Sequence, residues 1–362
     1  MKKNILITGG AGFVGSNLAI FLKAKLKGCN VICFDNLSRR GSELNVKRLK
    51  DHSIEFIKGD VGRKEQLLSL ENINIILDCA AEPSVLASHT DPLYTIETNL
   101  LGTIHCLELA RRDNADFIFM SSSRVYPVEL INQIAFEELP TRFDWRGKIK
   151  GQGYSFQGVR VDFPLLGVRS LYGASKLSSE QICLEYFDSF GLRGIINRFG
   201  IIAGPWQMGR VDQGVVGFWV AQHKFNHKLS YLGYGGSGKQ LRDVIHVNDV
   251  CELILDQIEN IDEVSGKTYN VGGGRKNSIS LLELTRLIQE ITGIKRFVEK
   301  VKEERKNDVR IYITDNTEIA KDMGWNPRRS LEDIVTDTIS WMDQYHDILS
   351  SVFSTEVEEI HV

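Results

Sequence analysis

An α/β protein, with a Rossmann-type doubly wound parallel sheet and a smaller, discontinuous substrate-binding domain, is the fold class this sequence predicts. Three observations carry it. The apolar run Ile5-Leu6-Ile7 leads into a glycine-dense turn, and Leu18, Leu22 and Leu26 follow at helical spacing, so strand, turn and helix come in that order. Short apolar runs then recur at 30–34, 54–57, 73–79 and 117–120, separated by helix-length segments. After Gly204-Pro205 this alternation changes, which marks the entry to a second lobe.

Taken in order, Gly9, Gly12, Phe13, Val14 and Gly15 form the expected phosphate cradle. The run Gly10-x-Gly12-x-x-Gly15 fits the dinucleotide fingerprint, and Gly9-x-x-Gly12-x-x-Gly15 is a second reading of the same residues. Glycine is needed there for a tight turn, for backbone that touches a pyrophosphate, and for close packing of helix on strand. The next strand ends in Asp35, followed by Asn36, about 20 residues beyond the last glycine, where the fingerprint expects an acid. A carboxylate at that point accepts from ribose hydroxyls and repels a 2'-phosphate, so the expected cofactor is NAD. Arg39 and Arg40 argue the other way, since guanidinium groups pair with a 2'-phosphate.

The third strand runs into Asp60 and Val61, and Asp60 is either an adenine contact or a plain turn carboxylate. The fourth ends in Ala80 and Ala81, small enough for backbone to approach a cofactor ribose. A helix from about 92 to 112 carries Asn99, which needs a partner if buried. The fifth strand ends in the hydroxyl cluster Ser121-Ser122-Ser123, at the end of a parallel sheet where ligands bind. Tyr172 and Lys176 stand four apart, on one face of a helix. A free tyrosine has a pKa of roughly 10, so it works as a base near neutrality only beside a cation that favours the phenolate. Lys176 supplies that charge and can also hold the nicotinamide ribose. Ser122 then holds the substrate oxygen while Tyr172 takes or returns a proton.

Composition excludes several classes. A net charge of -3 offers no field for nucleic acid. No run approaches the roughly 18 apolar residues of a membrane span, and cleavage of the lysine-led N-terminus as a signal would destroy the glycine turn, so a cytoplasmic protein is expected. Six cysteines without a C-x-x-C pair read as buried thiols, with no metal site. The domains are read as 1–198 with 241–275 for NAD, 199–240 with 276–352 for the substrate, and an acidic tail at 353–362. The segment between Tyr126 and Tyr172 is longer than an ordinary connection and reads as a folded loop, either bordering the substrate pocket or a surface insertion.

With the glycine turn, Asp35, the serine cluster before Val125-Tyr126 and the Tyr172/Lys176 pair in place, the chain resembles the extended short-chain dehydrogenase/reductase family, the sugar-nucleotide epimerases and dehydratases, over nearly its whole length. The resemblance implies Ser122 as the catalytic hydroxyl. In the 4,6-dehydratase branch an Asp-Glu pair follows that hydroxyl; here Ser123 and Arg124 stand there, so elimination of water has no evident acid. Ile201 replaces an asparagine of the family pattern, which removes one diphosphate contact. The blocks Asp212-Gln213-Gly214 and Gly238-Lys239-Gln240-Leu241-Arg242-Asp243 are similar to the branch that epimerises CDP-sugars at C2.

That likeness implies a nucleotide-diphosphate sugar as partner, a CDP-sugar favoured, met by Ser123, Arg124, Gln213, Gln240, Arg242, Arg305 and Asp308. Arg242 and Arg305 are the cations for the pyrophosphate, since guanidinium forks match phosphate oxygens. Asp243 and His246 are expected to brace the domains. The implied reaction runs through a transient 2-keto sugar whose hydride is returned to the opposite face, with NAD resident. The family also implies a homo-oligomer, dimer or tetramer, paired through the helices of Asn99 and Lys176. A UDP-sugar 4-epimerase and a catalytically silent NAD-binding regulatory protein remain open alternatives.

Overall fold

The apolar runs form parallel strands β1 (Asn4–Thr8), β2 (Asn30–Asp35), β3 (Glu55–Lys58), β4 (Ile75–Asp78) and β5 (Asp116–Ser122). The computed structural model describes residues 3–210, 213–303 and 308–354. With Gly194–Phe199 and Thr268–Val271 these strands make one seven-stranded sheet, ordered from the Thr268 edge as 268–271, 194–199, β5, β4, β1, β2, β3. Because β1 pairs with both β2 and β4, the connections leave it in opposite directions, which opens a ligand crevice at the strand ends. The inner strands are apolar on both faces since helices cover both; Leu6, Phe34, Ile76, Phe117, Phe119 and Ile196 are in the core.

The helix expected over 92–112 is broken into Pro92–Ile96, a π-helical turn Glu97–Leu101, and Gly102–Asp113. Pro92 stands at the first helical position and the Asp91 carboxylate accepts from the Tyr94 amide at 3.0 Å, so the start is capped by sequence. Gly102 is needed for packing: a Cβ there would lie 2.6 Å from Val61 Cγ2.

Residues divide by their contacts into two units. Of the described residues, the first holds those within 3–125, 170–199 and 250–269, and the second those within 126–169, 200–249 and 270–354. This division differs from the sequence boundaries at 126–169, 199, 241–249 and 270–275. The reason is pairing: Leu241–His246 lies beside Ile201–Ala203, Ser278–Ser280 and Ile311–Tyr312. The 127–169 segment is folded, with helix Val128–Asn132 and the hairpin Phe136–Glu138/Phe143–Trp145. It joins the second unit through Phe143 N to Lys239 O and Val159 N to Ile313 O, each 2.8 Å. Capping boxes at Ser280/Glu283 and Ser330/Asp333 start two helices of that unit. Residues 353–354, read from the sequence as the start of the tail, close the last helix, His346–Ser354; 355–362 lie outside the described residues. Among the described residues no helix is long and apolar enough to cross a membrane.

Asp243 and His246 both work inside the second unit. His246 is fully buried, with Nε2 3.2 Å from Asp337 and Nδ1 accepting from the Asn248 amide at 2.9 Å. Asp243 Oδ2 accepts from the Gly274 amide at 3.0 Å, and burial pushes its carboxyl up to about 6. A carboxyl raised by folding favours the native state most below its unfolded value of about 4, and that contribution is lost as pH rises through about 6. Asp243→Asn is therefore expected to flatten the dependence of melting temperature on pH across that window. A mutant profile as steep as wild type would refute it.

Candidate active site

The cofactor cleft grows from the first strand and turn. Gly12 N donates to Gly9 O at 2.9 Å, closing the turn, and Gly9 takes φ +62°, where a Cβ would lie 2.9 Å from the Ala80 backbone. A Cβ on Gly15 would sit 2.3 Å from Gly9 O, so only glycine fits. Gly12 caps the helix Phe13–Lys25 without a side chain, so backbone alone meets whatever lies at that N-terminus, including the amides of Phe13 and Val14. Asp35 Oδ2 accepts from Ala11 N at 3.0 Å and Oδ1 from Leu37 N at 2.8 Å; burial raises its pKa. Gly9, Gly12, Asp35, Asn36, Val61, Ala80 and Ala81 all line one cleft.

Asp60 Oδ1 accepts from Gly62 N at 2.8 Å and its Oδ2 from Asn36 Nδ2 at 3.1 Å. It braces Asn36, while its neighbours Gly59 and Val61 line the cleft. Arg39 also lines it, and so does Tyr94, whose hydroxyl donates to Ser38 Oγ at 3.1 Å. Sequence reading passed over Tyr94 because its place in the cleft is a tertiary contact without local signature.

Helix Leu171–Ser189 starts on Ser170, whose hydroxyl accepts from Gly173 N at 3.2 Å. It carries Tyr172, Lys176 and Glu180 at successive turns. Lys176 is almost fully buried; its Nζ donates to Met120 O at 3.0 Å and lies 4.5 Å from the Phe119 ring centre. One turn on, Glu180 accepts from Ser121 Oγ at 2.5 Å and from Arg198, with Nη2 to Oε2 at 2.8 Å and Nε to Oε1 at 3.0 Å, all buried. The helix is thus tied to the end of β5 at two consecutive residues, Met120 and Ser121.

Side chains alternate along a strand, so Ser121 is spent beneath the site and Ser122 faces the other way, its Oγ accepting from Arg124 N at 3.2 Å. Ser123 and Arg124 follow in a half-buried single turn. Asn99, in the π-helical turn, uses its whole carboxamide: Oδ1 accepts from Glu82 N at 2.7 Å, and Nδ2 donates to Glu82 O and Ser175 Oγ at 3.0 Å each. Glu180 and Arg198 were missed in the sequence, although Glu180 continues the spacing of Tyr172 and Lys176.

In the second unit Arg242 Nη2 lies 3.0 Å from Asp308 Oδ1. The Asp308 carbonyl accepts from Asn132 Nδ2 at 3.0 Å and from the Tyr234 hydroxyl at 3.2 Å. Gln240 Nε2 donates to Leu232 O at 3.2 Å. Gln213 forms a backbone bridge with Arg210. Arg305 lies outside the described residues.

Comparison with known proteins agrees with this geometry. The NAD dependent epimerase/dehydratase family matches residues 5–272. The chain is 33% identical over 347 residues to the CDP-paratose 2-epimerase of Salmonella typhi, covering 93% of this chain and 98% of that one. The UDP-glucose 4-epimerase of Thermotoga maritima, solved with UDP-glucose, has a TM-score of 0.76 at 27% identity, over 95% of this chain and 99% of its own. The dTDP-glucose 4,6-dehydratase of Bacillus anthracis, solved with NAD, has a TM-score of 0.75 at 25% identity, over 97% and 99%. A glycine turn that no side chain could occupy, with a carboxylate held by the turn's own Ala11 amide in the same cleft, fits a dinucleotide. The chain belongs to the NAD-dependent epimerase/dehydratase family, and its cofactor is NAD.

Proposed function

We propose that this protein epimerises a nucleotide-diphosphate sugar at C2, interconverting CDP-paratose and CDP-tyvelose. The observation that carries the chemistry is the helix face on which Tyr172 stands one turn from the buried Lys176 ammonium, tied to the strand end that bears Ser122. Bound NAD supplies reversible hydride acceptance. Tyr172 takes the proton of the sugar hydroxyl, and the Lys176 charge attracts the negative charge that develops on the phenol oxygen. Ser122 donates to the sugar oxygen and orients it. Arg242, Arg305 and Asp308, with Gln213, Ser123 and Arg124, hold the nucleotide and sugar while the keto sugar turns, and Tyr172 then returns the proton. Net redox change is zero, which is why NAD stays resident. The substrate choice is supported by the likeness to the Salmonella typhi enzyme.

The second reading, a UDP-sugar 4-epimerase, is favoured by the likeness to the Thermotoga maritima enzyme, since the same residues serve C4 if the sugar enters differently. Proton NMR of the purified protein with CDP-paratose and no added cofactor separates the two. Growth of CDP-tyvelose to a fixed ratio is the expected result. No change there, with interconversion of UDP-glucose and UDP-galactose instead, would replace the first reading by the second.

The protein is further proposed to pair with a second copy through the helical stretch 92–113, which contains Asn99, and the helix 171–189, which contains Lys176. Leu101, Leu184 and Phe190 at these helices are exposed apolar side chains, which supports a covered face. Light scattering that returns the mass of a single chain would sink the pairing.

A further inference from the structure

We propose that Gln240 distinguishes cytosine from uracil, so that this protein selects CDP-sugars by the donor character of the base; the proposal rests on the nucleotide-sugar reading above. The Gln240 side chain is 8% exposed and donates from Nε2 to Leu232 O at 3.2 Å. That bond sets the orientation of the amide, because exchanging its nitrogen and oxygen would face two carbonyl oxygens across the same gap. The other end is then an acceptor. Oε1 is buried and meets no donor among the described residues. A buried carbonyl oxygen stripped of water and left unmatched is costly, and such atoms are rare in folded proteins unless a ligand or water supplies the donor.

The surroundings point to a nucleotide. Gln240 precedes the strand Leu241–His246 and stands two residues before Arg242, on the same side of an extended chain and about 7 Å along it. Arg242 meets the Asp308 carboxylate, and the Tyr234 hydroxyl meets the Asp308 carbonyl. Tyr234 follows closely on Leu232, whose carbonyl holds Gln240. One patch of the second unit therefore presents a guanidinium for a diphosphate, a carboxylate for ribose hydroxyls, and an unmatched acceptor beyond them.

The adjoining segment is built to yield. Gly233, Tyr234, Gly235 and Gly236 are four consecutive residues at positive φ, and Tyr234 at +49° takes a conformation its side chain disfavours. Strain of that kind collects at ligand sites, and the flanking glycines let the segment shift to uncover Oε1 as a base enters. The exocyclic amine of cytosine is a donor to Oε1. Uracil carries a carbonyl at that position, which brings two acceptors together and leaves Gln240 unmatched.

Calorimetric titration of the NAD-bound protein with CDP and with UDP tests this without any turnover. CDP is expected to bind about ten- to a hundredfold tighter. Gln240→Met, similar in shape but without the acceptor, is expected to bring the two within about threefold, chiefly by weakening CDP. The diphosphate of a pyrimidin-2-one riboside, which lacks the amine, gives a check on the unmutated protein and is expected to bind no better than UDP. Equal binding of CDP and UDP, or an undiminished CDP preference in Gln240→Met or with the amine-free base, would overturn the role of Gln240 and leave the nucleotide-sugar reading standing. Failure of both nucleotides to bind would overturn the two together.

Discussion

Tyr172→Phe is expected to lower turnover of the nucleotide sugar by about 10²- to 10⁴-fold while leaving bound NAD and melting temperature unchanged. The substitution removes one hydroxyl and keeps the ring. Among the described residues the bonds that fasten its helix are independent of that hydroxyl: Ser170 caps the start, Lys176 reaches Met120, and Glu180 reaches Ser121 and Arg198. The loss is thus confined to proton transfer at the sugar. Initial rates by NMR, NAD released on acid precipitation, and thermal denaturation together check it. A mutant with more than a tenth of wild-type turnover would remove Tyr172 from the chemistry, and one that loses NAD would make it a structural residue of the cofactor cleft.

The second large effect is on stability. Glu180→Gln is expected to destabilise the protein by about 3–5 kcal/mol, because it leaves the Arg198 guanidinium buried without its counter-charge. Arg198 and Glu180 are 5% and 1% exposed, so water cannot substitute for the lost carboxylate. Adding Arg198→Met removes the stranded charge, and the double variant is expected to recover most of the loss, since an apolar side chain of similar length costs nothing to desolvate. Denaturant titration of the three proteins decides it. If the single variant loses less than about 1 kcal/mol, the network is an ordinary surface-like pair and does not fasten the helix to β5.

Much of the cofactor half was legible because its determinants are local. The glycine turn, the acid at the end of the second strand, and the four-residue spacing of Tyr172 and Lys176 are relations within one element or between adjacent ones, and backbone geometry alone gives them meaning. The π-helical turn at Asn99 was not legible, because what favours it is the carboxamide's reach to Glu82 and Ser175, seventeen and seventy-six residues away. The same holds for the bond from Asn36 to Asp60, which joins residues 24 apart on different elements.

The alternation of parallel strand and helix, the class of cofactor and the placing of Tyr172 and Lys176 on one helix face were determined by the sequence itself, through periodicity and short spacings. Which serine of three is buried, where Glu180 finds Arg198, how Arg242 meets Asp308 and how the 127–169 segment joins the second unit were decided only by the tertiary structure. In each of those cases the partner lies on a different element, and a one-residue change of register turns the side chain to the opposite face, so its environment exists only once the chain has packed.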